Sequence, residues 1–220
     1  LSKNPAVLNG VIAENDIRLD NLSLAGFAKL NWKAGDRFTV SPGVRINYDR
    51  KDGYYDSVVT GNASNGTRQL VTNDTTHPYY NDPWIAAQRG LQSSQFFEPG
   101  FSAWNLSFDL NLSYQLSDDV LGYATYARSF KTGGINLNGV PNLSNGLPAL
   151  EVAQIKPEKV DHFELGLKSQ FWDRQATLNL AAYWTEIRDF QASVISNISG
   201  SSTLRGYLAN ADKVRVRGVE

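Results

Sequence analysis

W-N-L-S-F-D-L-N-L-S-Y-Q-L, residues 104–116, carries a large apolar side chain at every second position. Trp104, Leu106, Phe108, Leu110, Leu112, Tyr114 and Leu116 share one parity, and Asn105, Ser107, Asp109, Asn111, Ser113 and Gln115 share the other. Successive side chains of a strand point to opposite faces, so the run predicts a ribbon with one apolar and one polar face; a helix would scatter the leucines around its axis. It is also long. Strands in soluble proteins average about 5–6 residues, whereas a tilted strand that crosses a bilayer needs about 9–11.

The same alternation recurs on both sides of this run. Leu22, Leu24, Ala28, Leu30 and Trp32 oppose Ser23, Lys29, Asn31 and Lys33; beyond Ala34-Gly35-Asp36, Phe38, Val40, Val44, Ile46 and Tyr48 oppose Arg37, Thr39, Ser41, Arg45 and Asn47. Two alternating runs with a short glycine-containing connection predict a β-hairpin. Pro42 falls within the second run, where a missing ladder donor predicts a bulge or kink. Residues up to about Asp20 are only loosely patterned and are expected as strand or loop. After the central run, Ser117-Asp118-Asp119 predicts a tight turn into a strand over 120–130. Residues 160–172 alternate again, Asp173-Arg174 predicts another turn, and further strands are expected from 175 and over 205–219, separated by a Ser/Asn/Gly loop around 195–203. Between these runs lie two long polar stretches, about 49–103 and 131–159, expected as loops.

Composition excludes several classes. The net charge is -1 and the pI near 6.2, so no basic footprint for nucleic acid is present. No window approaches the roughly 18 consecutive apolar residues of a membrane helix, but a membrane β-barrel, whose signal is alternating, fits. The absence of cysteine removes disulfides, thiolate metal sites and cysteine nucleophiles.

The connections alternate short, long, short, long along the chain, the asymmetry of a bacterial outer-membrane barrel with short periplasmic turns, long extracellular loops and aromatic girdles. Trp32 and Trp172 stand beside short turns, and Tyr48, Trp104, Trp184 and Phe190 beside long ones. The expected fold is therefore all-β: an antiparallel up-and-down meander of about six or seven long strands, an incomplete section of a transmembrane β-barrel spanning residues 1–220.

Leu116-Ser117-Asp118-Asp119, Tyr123-Ala124-Thr125-Tyr126-Ala127-Arg128-Ser129-Phe130-Lys131-Thr132-Gly133-Gly134, Pro157-Glu158, Phe163-Glu164-Leu165-Gly166-Leu167-Lys168, Asp189-Phe190-Gln191, Asn210-Ala211 and Arg217-Gly218-Val219-Glu220 occur in this order. With Pro42-Gly43-Val44-Arg45-Ile46-Asn47-Tyr48-Asp49 upstream, the set resembles the TonB-dependent outer-membrane receptors. The resemblance implies a barrel of about 22 strands with a plugged lumen, located in the outer membrane of a Gram-negative bacterium. It implies active uptake of a scarce nutrient, within the family most often a ferric siderophore-type chelate, driven by TonB acting through a plug domain. No plug-like segment is expected within these residues, so the TonB system would act through the absent plug. The implied partners are outer-membrane lipid, the small-molecule nutrient and TonB, with no nucleic acid, no cofactor and no enzymatic activity. Two alternatives stand beside it: a passive porin or structural outer-membrane barrel, and a soluble secreted β-sandwich binding protein whose apolar face packs on a second sheet.

Candidate chemistry is sparse. Lys131-Thr132-Gly133 has the form of a serine β-lactamase element, but S-x-x-K and S-D-N are missing. His77 and His162 are far apart in sequence and predict a loop and a lumen-facing strand residue rather than a metal pair. Asp118 and Asp119 fit turn chemistry better than acid–base chemistry. Lys213, Arg215 and Arg217 share a parity, either as a substrate track or as ordinary wet barrel wall. For ligand contact the candidates are Arg128, read as lying on the wet side, with Lys131 and Asn136, where cations at a lumen mouth would focus field on an anionic substrate. Tyr79, Tyr80 and Trp84 belong to an aromatic crowd in the longest loop, either a ligand platform or self-packing.

Overall fold

The computed structural model describes residues 4–143, 145–196 and 205–220. Among the described residues there are twelve strands: β1 (Ile12–Lys29), β2 (Trp32–Lys33), β3 (Phe38–Asn62), β4 (Arg68–Leu70), β5 (Gln95–Phe97), β6 (Gly100–Ser117), β7 (Val120–Lys131), β8 (Gly134–Ile135), β9 (Gln154–Ile155), β10 (Glu158–Phe171), β11 (Ala176–Ser196) and β12 (Arg205–Val219). One sheet runs in the order β1-β3-β6-β7-β10-β11-β12, with β2, β4 and β5 added along β3; β8 and β9 pair separately. Every pairing is antiparallel. The Ser/Asn/Gly loop expected around 195–203 lies, from 197 onward, outside the described residues.

Register assigns the two faces. Leu110 stands opposite Pro42 and Tyr126, Tyr126 opposite Phe163, and Phe163 opposite Trp184. Residues directly opposite one another share a face, so Leu106, Phe108, Leu110, Leu112, Phe163, Leu165, Leu167, Leu178 and Leu180 form one continuous apolar surface. Nothing among the described residues covers it: Leu106, Leu165, Leu178 and Leu180 are all exposed. The β-sandwich alternative needs a second sheet over this face, and the described residues place none there. Aromatic side chains edge the band, with Tyr48 on Trp104 (ring centroids 4.9 Å apart) and Tyr126 on Phe163 (4.4 Å) toward the long-loop end. Phe38 with Tyr114 and Phe171 with Trp172 stand toward the short-turn end.

The strands outrun the band. At about 3.3 Å per residue, the 25 residues of β3 extend roughly 80 Å, about twice a bilayer's thickness. The excursion expected over about 49–103 is accordingly shorter, because β3 continues to Asn62 and β6 begins at Gly100. Polar residues over 49–57 read as loop, yet there they extend a strand that has left the membrane. β1 likewise starts at Ile12, where patterning is loose, since its upper half pairs with β3 outside the lipid.

Pro42 does not create a bulge. Its register with β6 is unbroken, and the interruption appears on the other neighbour, where β1 ends at Lys29 and β2 resumes at Trp32 in the same register. The Pro42 carbonyl still accepts from Leu30 N at 3.0 Å. Amide and carbonyl of one strand residue point to the same side, so the donor that proline lacks is missing toward β1 alone.

Among the described residues, packed cores form only at the long-loop end and only on the polar side of the sheet. Tyr55 and Phe97 pack with Val140 and Ala153, and Val59 packs with Ala63, Val71 and Ile85 of helix α1 (Pro83–Arg89). Both excursions thus fold over the face opposite the apolar band, identifying that face as the inner, lumen side.

Candidate functional site

The lumen-side wall carries a polar network. Tyr123 Oη donates to Glu164 Oε1 at 2.6 Å, His162 Nε2 lies 3.3 Å from Glu164 Oε2, and His162 Nδ1 lies 2.9 Å from Thr185 Oγ1. Asn111 Nδ2 donates to Thr125 Oγ1, and Lys29 pairs with Asp109. His162 is therefore the lumen-facing strand histidine expected from parity, and it meets Glu164 two residues on along β10, but the bond from Tyr123 to Glu164 crosses from β7 and leaves no local sequence signal.

Above this wall, the motif residues scattered through the sequence converge. Where residues 132–157 leave and rejoin the sheet, Glu158 Oε2 accepts from Gln191 N at 2.9 Å, and Gln191 Nε2 donates to the carbonyls of Thr132 and Lys156. Asn210 accepts from Lys156 N and donates to Asp189 O and Lys156 O. Asn136, buried, donates to Val152 O and Leu208 O and accepts from Leu208 N. Gly133 passes so close to Ile155 that a Cβ there would stand 2.4 Å from its carbonyl oxygen. These side chains replace water for the backbone of the excursion's base. They make a staple.

The two excursions are also joined to each other. Gln95 donates to Val140 O and Asn142 Oδ1 and accepts from Val140 N, while Asn73 and Asn142 both donate to Ser93 Oγ. In the first excursion Asp82 caps α1 by accepting from Trp84 N and Ile85 N, and it also binds Ser64 N and Oγ. Burial tends to raise this carboxyl's pKa; the hydrogen bonds from Ser64, Ile85 and Trp84 outweigh it, and the group titrates below its ordinary value.

The six candidate residues fall into different environments. Arg128 is opposite Phe108 and Asp161, which puts it on the outer, apolar-parity face and not on the wet side. The missing cue is that β7 alternates weakly, with Gly122, Ala124 and Tyr126 on the outer parity, so its parity is set only by pairing with β6 and β10. Lys131 is opposite Glu158 on the inner side and exposed. Asn136 belongs to the staple. Tyr79 packs against the Val59 cluster, the Arg89 guanidinium covers the Tyr80 ring at 3.8 Å, and Trp84, in the first turn of α1, remains part-exposed. Lys213, Arg215 and Arg217 oppose Arg188, Glu186 and Trp184. They too face outward, so neither a lumen track nor a wet wall describes them.

A lipid-facing apolar band, a polar inner wall and a stapled mouth at one end define a section of a large outer-membrane transport barrel. The model for the TonB dependent receptor-like β-barrel matches residues 2–220, and the chain belongs to this family of outer-membrane transport receptors of Gram-negative bacteria, which are not enzymes. It is 26% identical over 198 residues to the pesticin receptor of Yersinia enterocolitica, covering 90% of this chain and 23% of that protein, and equally so to the pesticin receptor of Yersinia pestis. Its fold is similar to the ferric yersiniabactin uptake receptor FyuA of Yersinia pestis, with TM-score 0.63, 20% identity and coverage of 94% of this chain and 24% of that one. It is also similar to the ferric-catecholate import receptor Fiu of E. coli K12, with TM-score 0.53, 19% identity and coverage of 92% and 25%. The chain spans about a quarter of the length of these relatives.

Proposed function

We propose that the receptor to which this barrel section belongs takes up a ferric siderophore-type chelate, held at the mouth and passed to the periplasm with energy supplied through TonB. The observation that carries the reading is that both long excursions fold inward over the lumen-side face at one end, stapled to the sheet and to each other, above a polar wall. A passive pore has no use for a mouth so fully organised by buried hydrogen bonds. The likeness to the pesticin receptor and to two receptors named for ferric chelates points the same way. Contact falls to side chains with free surface on the inner side: Lys131, which an anionic chelate would meet in a low-dielectric mouth, and Trp84. Tyr79 and Tyr80 shape the loop beneath. Arg128 and Asn136 serve the barrel wall and the staple.

The test is uptake of radiolabelled ferric chelates by cells expressing the full-length receptor under iron limitation, with and without functional TonB. Saturable, TonB-dependent uptake is expected. Non-saturable passage that ignores TonB would make the protein a passive pore. In binding assays at low salt, Lys131→Ala should weaken affinity several-fold and flatten its salt dependence, while Arg128→Ala leaves affinity within about twofold; the reverse pattern would move the contact to the outer cluster.

A further inference from the structure

One large apolar residue stands on the polar face. β1 carries Leu22, Leu24 and Ala28 on its lipid side, but Phe27 has the opposite parity, faces the lumen beside Arg45 and is 78% exposed there. Around it the lumen wall is hollow. A pocket of about 340 Å³ has Phe27, Lys29, Arg45 and Asp109 as its sides and the small residues Gly43 and Ala127 beneath them. Gly43 keeps it open, because a Cβ at that position would collide with the Asp109 carboxylate. The volume falls within the range of about 300–1,000 Å³ typical of small-molecule sites.

The polar groups of this pocket are unequally committed. Lys29 holds Asp109 at 3.2 Å, and the two charges cancel. Arg45 makes no ion pair among the described residues: its Nε donates to Asn47 Oδ1 at 2.8 Å, and its guanidinium carbon lies 5.8 Å from the centre of the Phe27 ring. The next carboxylate along β3, Asp49, is four residues farther up the strand, about 13 Å away. Asn105, directly opposite Asn47 and 7% exposed, has an Nδ2 with no hydrogen-bond partner. A forked cation, an unpartnered amide donor and an open ring face therefore stand together. They lie below the mouth, since Ser129, at the pocket's edge, is the inner residue of β7 next beneath Lys131.

We propose that this pocket is a second station on the lumen wall, beneath the mouth, for an anionic aromatic group of the substrate: a planar ring that carries an ionised carboxylate. The guanidinium fork of Arg45 matches a carboxylate bidentately, and the attached ring packs on Phe27 in the geometry that aromatic pairs prefer. Asn105 supplies a further donor to the same oxygens. The inference rests on the uptake reading above, and the two fail differently: passage that ignores TonB overturns that reading, whereas the station stands or falls on binding alone.

Saturation-transfer NMR on the full-length receptor in detergent tests this with benzoate, salicylate and cyclohexanecarboxylate, each alone. The two aromatic acids should bind, and cyclohexanecarboxylate several-fold more weakly. R45Q should lower benzoate binding several-fold, and R45K, which keeps the charge but not the fork, should recover only part of it. F27A should abolish the preference for the aromatic acids and F27Y should keep it. A nitroxide attached through A25C, one inner row above Phe27, should broaden the benzoate resonances, whereas one attached through L147C, exposed on the second excursion, should not. Should R45Q fail to form a heat-resistant barrel, the F27A and nitroxide measurements still decide. Equal benzoate binding by wild type and R45Q, equal binding of the three acids, or broadening from L147C alone would overturn the proposal. So would wild-type receptor that binds no benzoate while F27A cells admit a large hydrophilic antibiotic, because Phe27 would then seat the plug.

Discussion

Gly133 shows how one residue's missing side chain organises the mouth. It is buried between Phe101 and the Ile155 carbonyl, and a Cβ would stand 2.4 Å from both, so the backbone must yield. Gly133→Ala is expected to cost about 1–3 kcal/mol, the usual range for overpacking, and to release residues 134–157 from the sheet. Limited proteolysis of the full-length receptor checks this: new cleavage confined to that segment supports the account, and an unchanged digest removes it. Asp82 makes a second residue-scale case. Its folded pKa lies below its unfolded value, so its stabilisation is fully present above about pH 4, the unfolded carboxylate value, and is lost as pH falls through the lower folded value. Asp82→Ala should cost about 1 kcal/mol at neutral pH, as for loss of a helix cap, and less at pH 3, below the unfolded carboxylate value. Hydrogen exchange over α1 at the two pH values reads the difference directly. Neither residue stood out beforehand. Lys131-Thr132-Gly133-Gly134 was legible as a motif, but the need for glycine arises from Phe101 and Ile155, which are remote in sequence.

At the scale of the element, strand parity converts directly into environment. Leu110 and Asn111 are adjacent on β6, yet one faces lipid while the other donates to Thr125 across the lumen-side wall. An arginine at mid-bilayer on a barrel's lipid face costs about 2–4 kcal/mol, while lumen-side substitutions tune the interior. Leu180→Arg, opposite Leu167 and midway between Trp184 and the short-turn end of β11, should therefore lower the unfolding free energy in lipid vesicles by that amount and Asn179→Arg, on the inner side, by less than half of it; equal costs would mean that the faces are misassigned. Strong alternation made β6, β10 and β11 readable from the sequence. In β7 the outer positions Gly122 and Ala124 are small and Arg128 is charged, so the local pattern is mute and only the ladders with β6 and β10 fix its parity. The upper half of β3 was unreadable for a related reason: outside the lipid both of its faces tolerate polar residues, and loop and strand compositions converge.

For the whole molecule, the decisive quantity is surface. The accessible area is 13595 Å² for 24.3 kDa, against about 10,000 Å² expected of a compact soluble chain of that mass. The excess reflects a seven-strand path that cannot close by itself and an apolar band far larger than the few hundred Å² that soluble monomers expose. The 220-residue chain by itself is expected to stay monodisperse only in detergent or lipid, as light scattering would show; a soluble detergent-free monomer would mean that the band is covered. The sequence by itself determined the all-β meander, the antiparallel order and the membership of the apolar face, because a period of two and short turns are local properties that survive without tertiary contacts. Tertiary structure alone decided which way Arg128, Lys213, Arg215 and Arg217 face, that Glu158, Gln191 and Asn210 form one staple, and that both excursions turn inward. Each of these depends on register and on pairing across strands far apart in the chain, and sliding a strand by a single residue would reverse every side chain it carries.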